Sequence, residues 1–139
     1  MAFTPITKGD YKNSVKACPV GNVSIAAPGT STFDGVSVST GDRLLLKEQT
    51  LGQQNGLYRF NGPASPLTRP DDADTSDEVG PGTIVYVEQG TANGAKWWYI
   101  TTPTPVVLGT TPLTFTQLGA GGASASDIAA AKKWAFTIS

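Results

Sequence analysis

Turn-forming residues interrupt this chain so often that long helices have no room to form. The 139 residues include 16 glycines and 10 prolines, and the longest strongly apolar runs, 84–87 and 97–100, have four residues each. Short apolar runs separated by turn residues predict an all-β domain of short antiparallel strands. We expect a compact antiparallel β-sandwich or small barrel, with one short C-terminal helix and extended terminal arms.

Eight short segments have the composition of β-strands, rich in Val, Ile, Thr and aromatic residues. They are 23–26, 35–39, 43–47, 56–60, 83–88, 96–102, 105–108 and 113–118. Asp34-Gly35 is a tight-turn dipeptide, and Asn55-Gly56 ends a polar loop between two predicted hairpin strands. Asn93-Gly94 predicts a further hairpin.

The order of these segments divides the chain into four parts. Residues 1–17 are predicted to be an N-terminal arm, and residues 18–118 a β module. Residues 119–123 (Gly-Ala-Gly-Gly-Ala) form a flexible joint. Residues 124–139 are a C-terminal interaction tail, with a short helix at 128–133 followed by alternating apolar residues. That tail is too short and too Ala-rich to be stable alone.

Charge and residue usage exclude several classes of function. Ten basic residues against eleven acidic ones give a net charge of −1, so we expect neither a nucleic-acid nor a membrane partner. The chain has no histidine and one cysteine, which removes the commonest general base, any internal disulfide and any Cys-based zinc site. We therefore expect a protein that is not an enzyme and has no cofactor.

Five carboxylates crowd into residues 71–78 (Asp71, Asp72, Asp74, Asp77 and Glu78). We expect a surface loop without a metal, in which Arg69 forms a bidentate pair with one carboxylate. Calcium binding through residues 72, 74 and 76 stays open as an alternative. The loop lacks the glycine and the terminal glutamate of an EF-hand loop, which weighs against it.

Three consecutive aromatic residues, Trp97, Trp98 and Tyr99, lie on a predicted strand. Alternation places Trp97 and Tyr99 on one face and Trp98 on the other, so one face belongs to the core and the other can meet a partner. Apolar residues in the terminal arms have no evident place in the β core. The residues predicted to bind partners are Phe3, Ile6, Trp98, Trp134, Phe136 and Ile138.

A series of blocks resembles a module that recurs in virion surface proteins of tailed bacteriophages. The blocks cover roughly residues 15 to 118, are specific together and weak singly. They are Asn22-Val23-Ser24-Ile25, Phe33-Asp34-Gly35-Val36, Gly41-Asp42-Arg43-Leu44-Leu45-Leu46-Lys47, Gln49-Thr50, Asn55-Gly56-Leu57-Tyr58, Leu67-Thr68-Arg69 with Asp71-Asp72-Ala73-Asp74, Val87-Glu88-Gln89-Gly90-Thr91, and Leu108-Gly109-Thr110-Thr111-Pro112-Leu113-Thr114-Phe115.

The resemblance implies a virion structural protein with no catalytic residues. Many relatives carry the module within a long tail protein, whereas this chain nearly ends after it. We therefore expect a capsid decoration protein on the external surface of the virion, which binds the major capsid protein or other virion proteins and forms a homo-oligomer such as a trimer. Alternatives are a tail-fibre or tail-tip component, or a carbohydrate-binding module that recognises host glycans. Pro66-Leu67 stands where the family has a Trp before Thr-Arg, which changes packing only.

Overall fold

Seven short strands form three small antiparallel sheets in residues 11–119, which are the residues that this computed structural model describes. The strands are β1 (Thr32–Phe33), β2 (Val36–Ser37), β3 (Arg43–Leu46), β4 (Gly56–Arg59), β5 (Ile84–Val87), β6 (Lys96–Ile100) and β7 (Phe115–Gln117). Single 3-10 turns occur at Gly52–Gln54 and Ser76–Glu78. Within these residues no helix has the length and apolar character needed to cross a bilayer. The fold is all-β, and its sheets do not close into a barrel.

The predicted tight turn and the two predicted hairpins are confirmed. Asp34 and Gly35 both have positive φ (50° and 80°) and form the two-residue turn between β1 and β2. That geometry suits glycine and is tolerated by aspartate, which explains the dipeptide. The loop that ends at Asn55 joins β3 to β4, in a register that pairs Leu45 with Leu57. The Asn93-Gly94 loop joins β5 to β6, and β6 also pairs with β7.

The β3–β4 hairpin is buried on both of its faces. Alternate side chains project into two separate apolar clusters, one shared with β5 and β6 and the other with the β1–β2 hairpin. Leu45 and Leu57 belong to the first cluster, whereas Leu44 and Tyr58 belong to the second. Burying each large apolar side chain stabilises the fold by about 1.5–3 kcal/mol. The hairpin is therefore the central layer of the molecule.

Residues 11–17 are packed into the fold, so the boundary of the N-terminal arm at residue 17 is wrong for this part of the chain. Tyr11 and Val15 form parallel bridges with β5, and Ala17 forms one with Leu44 of β3. The Val15 amide donates to the Tyr86 carbonyl at 2.9 Å, and the side chains of Val15 and Ala17 are fully buried. This segment links two sheets that share no strand.

Two predicted strands are absent from the described residues. In 23–26, the Val23 amide donates to the Gln49 side chain at 2.9 Å, so a side chain replaces a strand partner. In 105–108, Pro105 has no amide hydrogen, and the Val107 amide donates to the Thr111 hydroxyl at 2.9 Å within a turn.

Several expectations concern residues outside the described part of the chain. They are the remainder of the N-terminal arm, the joint from residue 120 onward, the C-terminal helix, and the predicted partner-binding residues Phe3, Ile6, Trp134, Phe136 and Ile138.

Candidate functional site

Trp98 is a core residue, which corrects its prediction as a partner-binding residue. Its side chain is 8% exposed and packs in the same cluster as Val85 and Ile100. The indole N–H donates to the Asn93 carbonyl at 3.5 Å, and the Lys47 ammonium lies 4.3 Å from the ring centroid. The face of β6 that carries Trp98 also carries Ile100 and packs against the β3–β4 hairpin. Both faces of β6 are apolar in sequence, so alternation alone does not say which one faces inward.

Trp97 lies on the opposite face and is 43% exposed. Its ring centroid is 4.9 Å from that of Tyr86, its partner across the β5–β6 pair, and 6.1 Å from that of Tyr11. Tyr11 is itself 62% exposed. We call the surface formed by Tyr11, Ile84, Tyr86, Trp97 and Leu118 the aromatic face.

A cavity of about 140 Å³ lies within the aromatic face and is lined by Tyr11, Ile84, Trp97 and Leu118. Tyr11 and Leu118 lie at or next to the two ends of the described chain. Sequence reasoning did not assign Tyr11 or Leu118 to a site. In the sequence, only the apolar character of these two residues near the predicted arms indicates a site. The parallel bridge between Tyr11 and β5 joins residues far apart in the chain, so no local sequence pattern predicts it.

The acidic loop is ordered by hydrogen bonds to its own backbone and by one arginine. Thr75 and Glu78 form a capping box, and the Glu78 carboxylate accepts from the Asp74 amide at 3.0 Å. A hydrogen bond between the side chains of Glu78 and Asp74 raises the pKa of the Asp74 carboxyl. Arg43 holds Asp72 in a bidentate pair at 2.9 and 3.0 Å. Among residues 11–119 no group of three or more acidic, thiol or imidazole side chains is placed to hold a metal ion.

Arg69 does not form the carboxylate pair that the sequence suggested; Arg43 forms it instead. Arg69 donates to the carbonyls of Asn55 and Gln53, both at 3.3 Å. Its guanidinium also lies 4.6 Å from the ring centroid of Tyr58. The position of Arg43 on β3 directs its guanidinium toward Asp72. The Arg69 guanidinium instead lies beneath the β3–β4 loop, away from the carboxylates. Closeness in sequence was therefore a poor guide to the ion pair.

The aromatic face offers apolar and aromatic contact area, and the titratable groups on it are tyrosine hydroxyls. Such a surface favours packing against a partner, because aromatic side chains supply large contact areas at low entropic cost. Comparison of the chain with protein-family models, with curated proteins and with solved structures found no match in any of the three.

Proposed function

We propose that the protein is a structural component of a tailed-bacteriophage virion that decorates the outer surface of the head. The observation that carries this proposal furthest is the aromatic face, an exposed cluster of large rings on an otherwise packed sheet. Exposed clusters of large apolar side chains are typical of surfaces that bind a partner. The blocks that resemble phage virion modules supply the class of partner, which is the major capsid protein or another virion protein.

The resembling blocks coincide with contacts that hold the β module together. The Asp34 carboxylate accepts from the Asn93 amide at 2.8 Å, which ties the first hairpin to the β5–β6 loop. The Asn55 side chain donates to the Leu113 carbonyl at 2.8 Å, and Arg69 is fixed beneath the same loop. These residues are accounted for by the fold, so the resemblance supports a shared scaffold whose function lies on its surface.

Decoration would stabilise the shell by mass action. A protein that binds the assembled lattice, and not its free subunits, favours the lattice by its binding free energy. Many copies of the chain, associated as homo-oligomers, would each add a small contribution to the stability of the shell. The predicted terminal arms carry Phe3, Ile6, Trp134, Phe136 and Ile138, and these apolar residues would add to the contact.

A sedimentation assay tests the proposal. Purified protein is mixed with assembled shells or with free capsid subunits, and the bound fraction is measured. We expect binding to shells only, and a loss of about tenfold or more in affinity for Trp97→Ala, as for a central aromatic contact residue. Leu51→Ala is the matched control, because Leu51 is also exposed and apolar but lies in the β3–β4 loop. Equal binding by both variants would show that the aromatic face is not the attachment surface.

Labelled protein on intact particles separates the head from the tail fibre or tail tip, which is the main alternative location. The carbohydrate-binding alternative depends on Trp97, because Trp98 is buried. A glycan array probed with wild-type protein and with Trp97→Ala would favour host adhesion if a glycan bound and the variant lost it.

A further inference from the structure

Strand β7 forms an open edge of the three-stranded sheet. Its one partner strand within residues 11–119 is β6, whereas the far side of β5 is covered by the bridges from Tyr11 and Val15. An open edge presents backbone donors and acceptors, and a strand from another chain can pair with them. The edge of β7 is therefore a candidate contact surface.

Two residues of β7 direct their backbone groups away from β6. The Leu118 amide donates to the Trp97 carbonyl at 2.9 Å, so its backbone faces β6. Because backbone groups alternate in direction along a strand, the N–H and C=O groups of Phe115 and Gln117 point to the open side. In the described part of the chain, no strand pairs with these four groups.

This edge lacks the charged side chains that commonly protect an open strand. No Lys, Arg, Asp or Glu occurs between Lys96 and Asp127, so β7 and the chain on both sides of it are neutral. Natural proteins often place charges, especially lysine, on open edges to prevent pairing with other chains. A second copy of the same neutral strand brings no like charge to this edge.

The two ends of β7 restrict how another strand can pair with it. At one end, the Leu113 amide donates to the Gly52 carbonyl at 3.1 Å, so the β3–β4 loop occupies the edge there. At the other end, Gly119 has a positive φ of 84°, which ends the extended backbone. The open part of the edge is therefore short and runs from residue 115 to residue 118.

We propose that β7 pairs with β7 of a second copy of this chain, antiparallel and centred on Thr116, in a dimer with twofold symmetry. In this register Phe115 of each copy lies opposite Gln117 of the other, so all four outward backbone groups of each strand gain partners. Each strand ends where the β3–β4 loop of the other copy begins. A short neutral edge is thus complementary to itself.

The pairing joins the aromatic faces of the two copies. Thr116 lies opposite Tyr99 and Leu118 lies beside Trp97, on the aromatic face, whereas Phe115 packs toward the core. Directly opposed residues of an antiparallel pair project to the same face. Two three-stranded sheets therefore become one six-stranded sheet with both aromatic faces on one side. This inference gives the homo-oligomer of the proposed function its contact surface and rests on that part of the proposal alone.

Two opposite charges at position 116 test the twofold axis. Thr116 is exposed, and in the dimer it faces its own copy with about 4.5 Å between the Cα atoms. Thr116→Lys and Thr116→Glu each bring two like charges together. We expect either change to raise the dimer dissociation constant of the full chain by about tenfold or more in sedimentation equilibrium. An equal mixture of the two variants should associate again, because opposite charges then face each other.

Thr114→Lys is the matched control. Thr114 is also exposed and lies on the same face as Thr116, but in the dimer it is about 13 Å from its own copy. That separation exceeds the screening length of about 8 Å at physiological salt, so this variant should dimerise like wild type. Equal weakening by Thr114→Lys and Thr116→Lys would contradict the register.

A disulfide provides a second readout that does not depend on charge. With an added oxidant, Thr116→Cys should form a covalent dimer, because the Cα separation lies in the range that disulfides span. Thr114→Cys should stay uncrosslinked, and Cys18 is fully buried. Equal crosslinking of the two variants would indicate random collision and contradict the pairing.

The oligomeric state of wild type decides between the possible occupants of the edge. A wild-type chain that stays monomeric at every concentration would overturn the proposal, as expected if the edge binds residues 134–139 of its own chain or a strand of the capsid. A trimer, or a variant mixture that associates no better than either variant alone, would also overturn it. Shell binding is measured separately, so a monomer that still binds shells would leave the virion role standing.

Discussion

Burial of Cys18 in the core lowers the reactivity of its thiol. The thiol is fully buried beside β3, and desolvation raises its pKa from 9.0 to about 12. The thiolate is the nucleophilic form of cysteine, so a fully buried thiol with a raised pKa is far less reactive than an exposed one. Cys18 is therefore a small apolar core residue in this fold.

The same shift predicts a loss of stability at high pH. Above about pH 9 the thiol of the unfolded chain ionises, whereas the folded thiol stays neutral until about pH 12. The folded state then binds more protons, so its stability falls as pH rises through this window. Between pH 8 and pH 10 we expect this residue to cost about 1–2 kcal/mol.

Urea unfolding of wild type and of Cys18→Ala at both pH values measures the effect. Tyrosines and lysines titrate in the same range, so the informative quantity is the difference between the two proteins. Wild type should lose more stability than the variant on going to pH 10. Parallel losses in the two proteins would show that the thiol is accessible to water.

At the scale of elements, a buried asparagine joins the β3–β4 loop to the chain before β7. The Asn55 side chain accepts from the Gln49 amide at 2.9 Å and donates to the Leu113 carbonyl at 2.8 Å. The two partners lie far apart in sequence, and both are backbone groups that need a partner when buried. The Asn55 side chain thus provides hydrogen-bond partners for two buried backbone groups from different parts of the fold.

Asn55→Ala should destabilise the protein by about 1–3 kcal/mol for each backbone group left unpaired. Asn61→Ala is the control, because Asn61 also bonds to backbone, at the Pro66 carbonyl, but sits where water can replace it. Thermal or urea unfolding should show a much larger loss for Asn55→Ala. Similar losses for both variants would mean that water reaches the Asn55 site.

The sequence predicted local elements well and long-range ones poorly. The turn at Asp34-Gly35 requires positive φ at both residues, so residue type reveals it. The bridge between Tyr11 and Ile84 joins residues about 70 positions apart, and neither end needs a special conformation. For the candidate site, alternation separated Trp97 from Trp98 but did not say which one is exposed. That choice depends on how the β3–β4 hairpin packs against β6.

At the scale of the molecule, the buried described residues of both apolar clusters lie between Val15 and Leu113 in sequence. We therefore expect deletion of residues 124–139 to leave a folded β module with little change in melting temperature. The truncated protein should lose oligomerisation or particle binding, because Trp134, Phe136 and Ile138 would each bury apolar area worth about 1.5–3 kcal/mol against a partner.

A full-length variant with Trp134, Phe136 and Ile138 all replaced by serine separates the tail's apolar groups from its length. It should match the deletion in size-exclusion chromatography and in shell binding. An unfolded truncated chain would mean that the tail completes the domain's own core, and the prediction would be wrong.

The pairing of residues 11–17 also sets an order of events during synthesis. This segment is synthesised about 70 residues before β5, with which Tyr11 and Val15 pair. At translation rates of about 5–20 residues per second, the delay is roughly 4–14 s. In that interval Ala17 can already pair with β3, whereas Val15 has no partner until β5 has been synthesised. Within the described chain, the segment that is synthesised first is thus fully paired only after β5 has been made.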